Sequence, residues 1–116
     1  MSELTATLRV TDAAAVLELA GELDYASAPL ARESIRDLSL RAGQLFVVDL
    51  GGVTFCDSSG ISALFAARNH ALAAGARIAL AALPAQIARI FGIIGLDDVF
   101  VTHATTADAL AAPQAV

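Results

Sequence analysis

The run Phe46-Val47-Val48-Asp49-Leu50-Gly51-Gly52-Val53-Thr54-Phe55-Cys56-Asp57-Ser58-Ser59-Gly60-Ile61-Ser62 reads as a buried strand, a short turn, and two adjacent hydroxyls at the start of a helix. A short apolar run closed by turn residues suits an interior strand, and Ile61, Leu64, Phe65 and Leu72 then recur at roughly helical intervals. The seam falls at Asp57-Ser58-Ser59-Gly60. A serine is favoured there as an N-cap, because its side-chain oxygen accepts an otherwise orphaned N–H of the first helical turn.

Working outward, strands are expected near Leu4–Val10 and Ala15–Ala20, joined by a turn at Thr11-Asp12-Ala13. So short a link implies an antiparallel hairpin. Ser27-Ala28-Pro29 looks like a helix entry, with proline tolerated in the first turn. The helix is predicted over Ala26–Ala42, with Ala28, Ala31, Ile35, Leu38 and Ala42 as its apolar stripe and Gly43 as its stop. Arg32, Glu33, Arg36 and Asp37 form its solvated side. Leu45–Leu50 makes the third strand, Ser59–Ala74 a helix stopped by Gly75, and Arg77–Ala81 the fourth strand. Pro84 opens a helix whose buried stripe is Ile87, Ile90, Phe91 and Ile94. A short strand at Val99–Val101 follows, and Thr105-Thr106-Ala107-Asp108 is a capping signal for a last helix. Alternation of strand and helix after the hairpin predicts an α/β fold, with a mixed, mostly parallel sheet of four to five strands and about four helices. In such sheets sites collect outside the carboxyl ends of the strands, where both Asp24 and Ser58 fall.

Composition narrows the function classes. At 116 residues the chain fits one domain, 1–116 with a core at about 4–112, and 57% apolar residues against 16% charged argue for a packed fold. Twelve acidic residues outnumber seven basic ones, all arginine, for a formal net charge of −5. Such a balance repels phosphate backbones, so nucleic acid is not an expected direct partner. Pro84, Gln86, Arg89 and Gly92 interrupt the most apolar region, so membrane insertion is not expected either. The N-terminal residues lack the basic start and apolar core of a signal peptide, which leaves a cytoplasmic location as the expectation.

A single cysteine excludes an internal disulfide, and two distant histidines offer no zinc set, so no cofactor or metal is expected. Cys56 lies near a helix start, where a thiol pKa can fall, but beside Phe55 it reads as a small hydrophobe turned into the core. Serine hydrolysis needs a base within hydrogen-bond reach and ordinarily a Gly-x-Ser-x-Gly elbow. Here the surroundings are Asp-Ser-Ser-Gly, His70 reads as a solvated helix residue, and His103 reads as a loop residue. No glycine-rich phosphate loop with lysine is present. A binding module fits these residues better than an enzyme.

A second motif, Gly21-Glu22-Leu23-Asp24, closes the apolar stretch Val16–Ala20 and precedes a helical pattern. With Phe55-Cys56-Asp57-Ser58-Ser59-Gly60, with Pro84–Phe91 and with Gly95-Leu96, it resembles the STAS-domain family of bacterial anti-sigma factor antagonists. The resemblance runs from about Leu4 to about Ala112. It implies a module whose unmodified form binds an anti-sigma factor that is also a serine kinase, releasing a sigma factor. It further implies that this kinase phosphorylates the first serine of Asp-Ser-Ser-Gly, here Ser58, and that a serine phosphatase restores the active form. Asp24, Asp57, Ser58, Ser59 and Gly60 are the expected partner-binding set, with Asp24 and Asp57 making the rim acidic and Gly60 allowing close approach of a partner backbone. Asp24 has a plain structural reading beside this one, as a cap or turn residue. STAS modules also resemble components of lipid-transport and membrane-transporter assemblies, so a docking subunit without a phosphorylation cycle is the alternative. The positive mean hydropathy agrees with such an obligate interface, although alanine accounts for much of it.

Overall fold

In the computed structural model, which describes residues 3–113, the chain runs β1 (Thr5–Val10), β2 (Ala14–Leu23), α1 (Ala28–Arg36), β3 (Leu45–Cys56), α2 (Ser58–Ala73), β4 (Arg77–Ala81), α3 (Ala85–Ile94), a 3-10 turn (Leu96–Asp98), β5 (Thr102–His103) and α4 (Thr106–Ala111). The five strands lie in the order β1-β2-β3-β4-β5, with β1 antiparallel to β2 and every other pair parallel. Because the strand order never reverses, right-handed crossovers put successive helices on the same face of the sheet. One core accordingly gathers Leu17, Leu19, Phe46, Val48 and Leu50 with Ile35, Leu64, Ile87 and Phe91 of the three crossover helices. The opposite face carries a smaller cluster, in which Ala109 of α4 packs on Val16, Val47 and Ala79. As the capping signal predicts, Thr105 Oγ1 accepts the Asp108 N–H at 3.0 Å, and Thr106 ties α4 to β3 by donating to Asp49 at 2.7 Å.

Several elements depart from the sequence expectation, each for a local reason. Strand β3 does not end at Leu50 in a turn; it continues through Gly51-Gly52 to Cys56 because β2 extends alongside it to Leu23. Register shifts between Glu18 and Ala20 and between Gly21 and Glu22 absorb the mismatch, and a Cβ at Gly52 would sit 2.7 Å from the Ala20 Cβ. Helix α1 stops at Arg36 rather than Ala42, since Asp37 and Ser39 are poor helix formers and the chain turns Leu38 into the core. His70 is not a solvated residue: its Nε2 meets the Leu38 carbonyl at 2.6 Å, so the ring donates there and holds the loop after α1 against α2. Of the α3 stripe only Ile87 and Phe91 are buried, while Ile90 and Ile94 are exposed with Ile93, because α3 contacts the core along one narrow side. Leu72 is likewise exposed. The expected strand at Val99–Val101 falls instead on Thr102–His103, where His103 pairs with Ala81 and so is not a loop residue.

Candidate functional site

The two sequence motifs meet because β2 and β3 are parallel neighbours whose last paired residues are Leu23 and Cys56. Everything that follows each strand therefore emerges on the same rim. Asp57 ties the exits together. It donates its backbone N–H to the Leu23 carbonyl at 3.3 Å, and its Oδ2 accepts the Tyr25 N–H at 3.2 Å. Its other oxygen accepts the N–H groups of Ser59 at 2.8 Å and Gly60 at 3.1 Å. The N-cap of α2 is thus the Asp57 carboxylate, and neither serine fills that place. A carboxylate also complements the positive end of the helix, which a hydroxyl would not.

That substitution of roles leaves Ser58 free at the first helical position, with an exposed side chain. Ser59 is half-buried beside it, and Gly60 is buried. A Cβ on Gly60 would lie 2.6 Å from the Leu23 carbonyl oxygen and 2.7 Å from the Cys56 sulfur. The reason for glycine is therefore internal, the seating of α2 on the ends of two strands, and not the approach of a partner backbone. Cys56 packs against the main core as expected, and burial together with the Asp57 charge pushes its thiol up to about 11. This is the reverse of an activated cysteine.

Asp24 performs the turn role that the sequence allowed. Its carboxylate accepts the Ser27 N–H at 3.0 Å, while Ser27 Oγ accepts the Asp24 N–H at 2.9 Å and donates to the Glu22 carbonyl at 2.6 Å. This reciprocal clasp starts α1 and directs it toward α2. Between the two helices lies an open groove of about 420 Å³, with Tyr25, Pro29 and Arg32 on one wall and Ser58, Ser59 and Ser62 on the other. Among its lining residues Arg32 is the one that carries a charge. Asp24 instead lines a separate hollow with Glu3, Glu22 and Ser27, so the acids expected at the rim stand beside the groove and not among its lining residues.

Three groove residues escaped the sequence reading. Ser62 was accessible in principle, since it stands four positions after Ser58 and so shares its helix face. Tyr25, 74% exposed, stands just past a strand end and lines the groove, but a lone aromatic at such a place carries no signal in the sequence. Arg32 offered no local sign, because its place depends on how α1 packs on α2. Neither histidine comes to Ser58: His70 is three turns along α2, about 18 Å away by helical rise, and His103 lines a different groove with Arg68 and Val101. Among the described residues no group of side chains could hold a metal ion, and no helix is long and apolar enough to cross a membrane.

A family model described as the STAS domain matches residues 5–109. An anti-sigma-B factor antagonist of Listeria monocytogenes is 28% identical over 81 residues, covering 70% of this chain and 71% of that protein. Among solved structures, an anti-sigma factor antagonist from Mycobacterium paratuberculosis superposes with a TM-score of 0.82 at 27% identity, covering 93% of this chain and 92% of that one. A sulfate transporter family protein from Wolinella succinogenes gives a TM-score of 0.75 at 15% identity, covering 89% and 86%, a likeness of fold alone. With most of its length matched, its element order shared and both motifs on one rim, the chain belongs to the STAS domain family.

Proposed function

We propose that this chain is an anti-sigma factor antagonist, acting in the cytoplasm as a binding module and not as an enzyme, and switched by phosphorylation of Ser58. The observation that carries the reading is an exposed hydroxyl at the first position of α2, beside a groove that the β2–α1 connection helps to wall. Names of relatives in Listeria and Mycobacterium support the same class of partner. In the unmodified state Tyr25, Ser58 and Ser59, with Asp24, Asp57 and Gly60 holding their loops, present the docking rim to an anti-sigma factor with serine kinase activity, and a sigma factor is released. The kinase then moves the terminal phosphoryl group of ATP to Ser58 Oγ; ADP leaves and the hydroxyl proton is lost. A serine phosphatase hydrolyses the ester and restores the starting form.

The physical basis is that a phosphate adds about −1.5 to −2 charge at pH 7 to a surface shaped for a neutral hydroxyl. At the N-terminus of a helix it is tolerated without refolding, so the fold persists while the contact surface changes. A penalty of about 3 kcal/mol for a poorly paired charge at the interface corresponds to roughly a hundredfold in affinity. Incubation with ATP and the cognate kinase, followed by peptide mass spectrometry, tests the assignment: phosphate on Ser58 and none after Ser58→Ala is the expected result. Phosphate on another residue would overturn the site. Stable association with transporter subunits and no modification at all would favour the docking role instead.

A further inference from the structure

We infer that Arg32 captures the phosphate on Ser58 across the groove, so that modification closes the docking surface from within as well as adding charge to it. The inference rests on the phosphorylation reading above. Arg32 and Ser58 line the same groove from opposite walls, α1 and α2. Arg9 pairs with Glu18 at 2.7 Å and Arg41 donates to the Asp12 carbonyl at 3.3 Å, whereas Arg32 is the one arginine that lines the groove with Ser58. Among the described residues no acceptor engages the guanidinium of Arg32. An unengaged guanidinium is a ready bidentate partner for a phosphate, with geometry that a lysine would not reproduce.

The other groups around the groove agree with this choice. Asp57 is the nearest acid along the chain, but its two oxygens already accept three backbone N–H groups, and Asp24 accepts from Ser27 and faces the neighbouring hollow. Ser62, four residues on from Ser58 along α2, offers a hydroxyl that can donate to the same phosphate. Glu22 lies with Asp24 in the separate hollow, and Arg36 lines the next groove along α1, which Arg32 borders as well, so that Arg32 stands between the two grooves. In the unmodified protein Arg32 is open to an acidic group of the partner. Once Ser58 is phosphorylated, that cation is occupied and the groove between Tyr25 and Ser62 is bridged.

The test uses the full chain with phosphoserine installed at position 58 during translation, without a kinase. Phosphorus NMR then follows the second ionisation of the phosphate with pH. A guanidinium in contact favours the dianion, so Arg32→Gln is expected to raise that pKa by about half a unit or more, and Arg32→Lys to recover part of the shift. Arg36→Gln, one turn further along α1, is expected to leave it in place. The inference is overturned if Arg32→Gln moves the pKa no further than Arg36→Gln does. Failure of the switch itself is a separate result, equal affinity of the phosphorylated and unmodified chains for the anti-sigma factor, and is read without reference to Arg32.

Discussion

The Asp57 carboxylate accepts the backbone N–H of Tyr25 at 3.2 Å across 32 positions of sequence. This bond joins the segment after β2 to the segment after β3, and it makes two motifs that are distant in the chain one structural unit. The same carboxylate caps α2 through Ser59 and Gly60, so the orientation of the helix and the position of the β2–α1 loop depend on one side chain. Ser58 is left exposed because its neighbour does the capping.

Removing that carboxylate is expected to loosen the rim. Asp57→Ala leaves three backbone N–H groups without their acceptor and should lower stability by about 1–2 kcal/mol, the upper part of the range for a lost cap. Asp57→Asn keeps one carbonyl oxygen and should lose less. Urea unfolding followed by circular dichroism measures both, and an unchanged midpoint for the alanine variant would contradict the capping role.

Gly60→Ala should be costly for a different reason. The new methyl group would meet the Leu23 carbonyl oxygen at 2.6 Å and the Cys56 sulfur at 2.7 Å, and backbone cannot swing aside as a side chain can. A loss of about 1–3 kcal/mol is expected, the usual cost of overpacking. Ser59→Ala serves as the comparison and should cost little, since that hydroxyl does not cap the helix; a loss for Gly60→Ala no larger than this small one would contradict the overpacking argument.

Cys56 should be a slow thiol. With its pKa raised to about 11, it holds on the order of a hundredfold less thiolate at pH 8 than the unfolded chain does, by the size of the shift. Alkylation by iodoacetamide should therefore be about that much slower in buffer than in urea, with the rate still climbing above pH 10. The folded chain keeps the proton more tightly than the unfolded one, so this group's contribution to stability is whole below about pH 9 and is lost as pH rises through 11. Equal alkylation rates with and without urea at pH 8 would contradict the burial argument.

Much of the architecture was legible because period and turn residues agreed locally. The hairpin, the alternation that follows it and the α4 cap at Thr105 all lie within a few residues of their expected places. Where the reading failed, tertiary contacts decided the outcome. Gly51-Gly52 resembles a turn until β2 is seen to run beside it as a strand, and Ala42 fits the α1 stripe although the helix has ended at Arg36. Ile90 and Ile94 have the right spacing for burial, but α3 has only one neighbouring surface to bury them against. The site divides in the same way. Asp24, Asp57 and Ser58 are visible as a motif at strand ends, whereas the groove walls, Tyr25 and Arg32 above all, exist only once α1 lies against α2.

Tyr25 is expected to act as an anchor for the partner. It is large, 74% exposed and lines the groove, the kind of residue that carries a disproportionate share of binding energy. Tyr25→Ala should weaken binding to the anti-sigma factor by about tenfold or more, while leaving thermal stability within about 0.5 kcal/mol of the parent. Isothermal titration calorimetry checks the first part and thermal unfolding the second. Full affinity in the variant would move the interface away from this groove.

The most direct measurement is the affinity of the anti-sigma factor for two preparations of the full chain, one unmodified and one with phosphoserine at position 58. A dissociation constant higher by on the order of a hundredfold for the phosphorylated form, with superimposable circular dichroism spectra, is the predicted result. Equal dissociation constants would contradict the proposal that Ser58 is the switch.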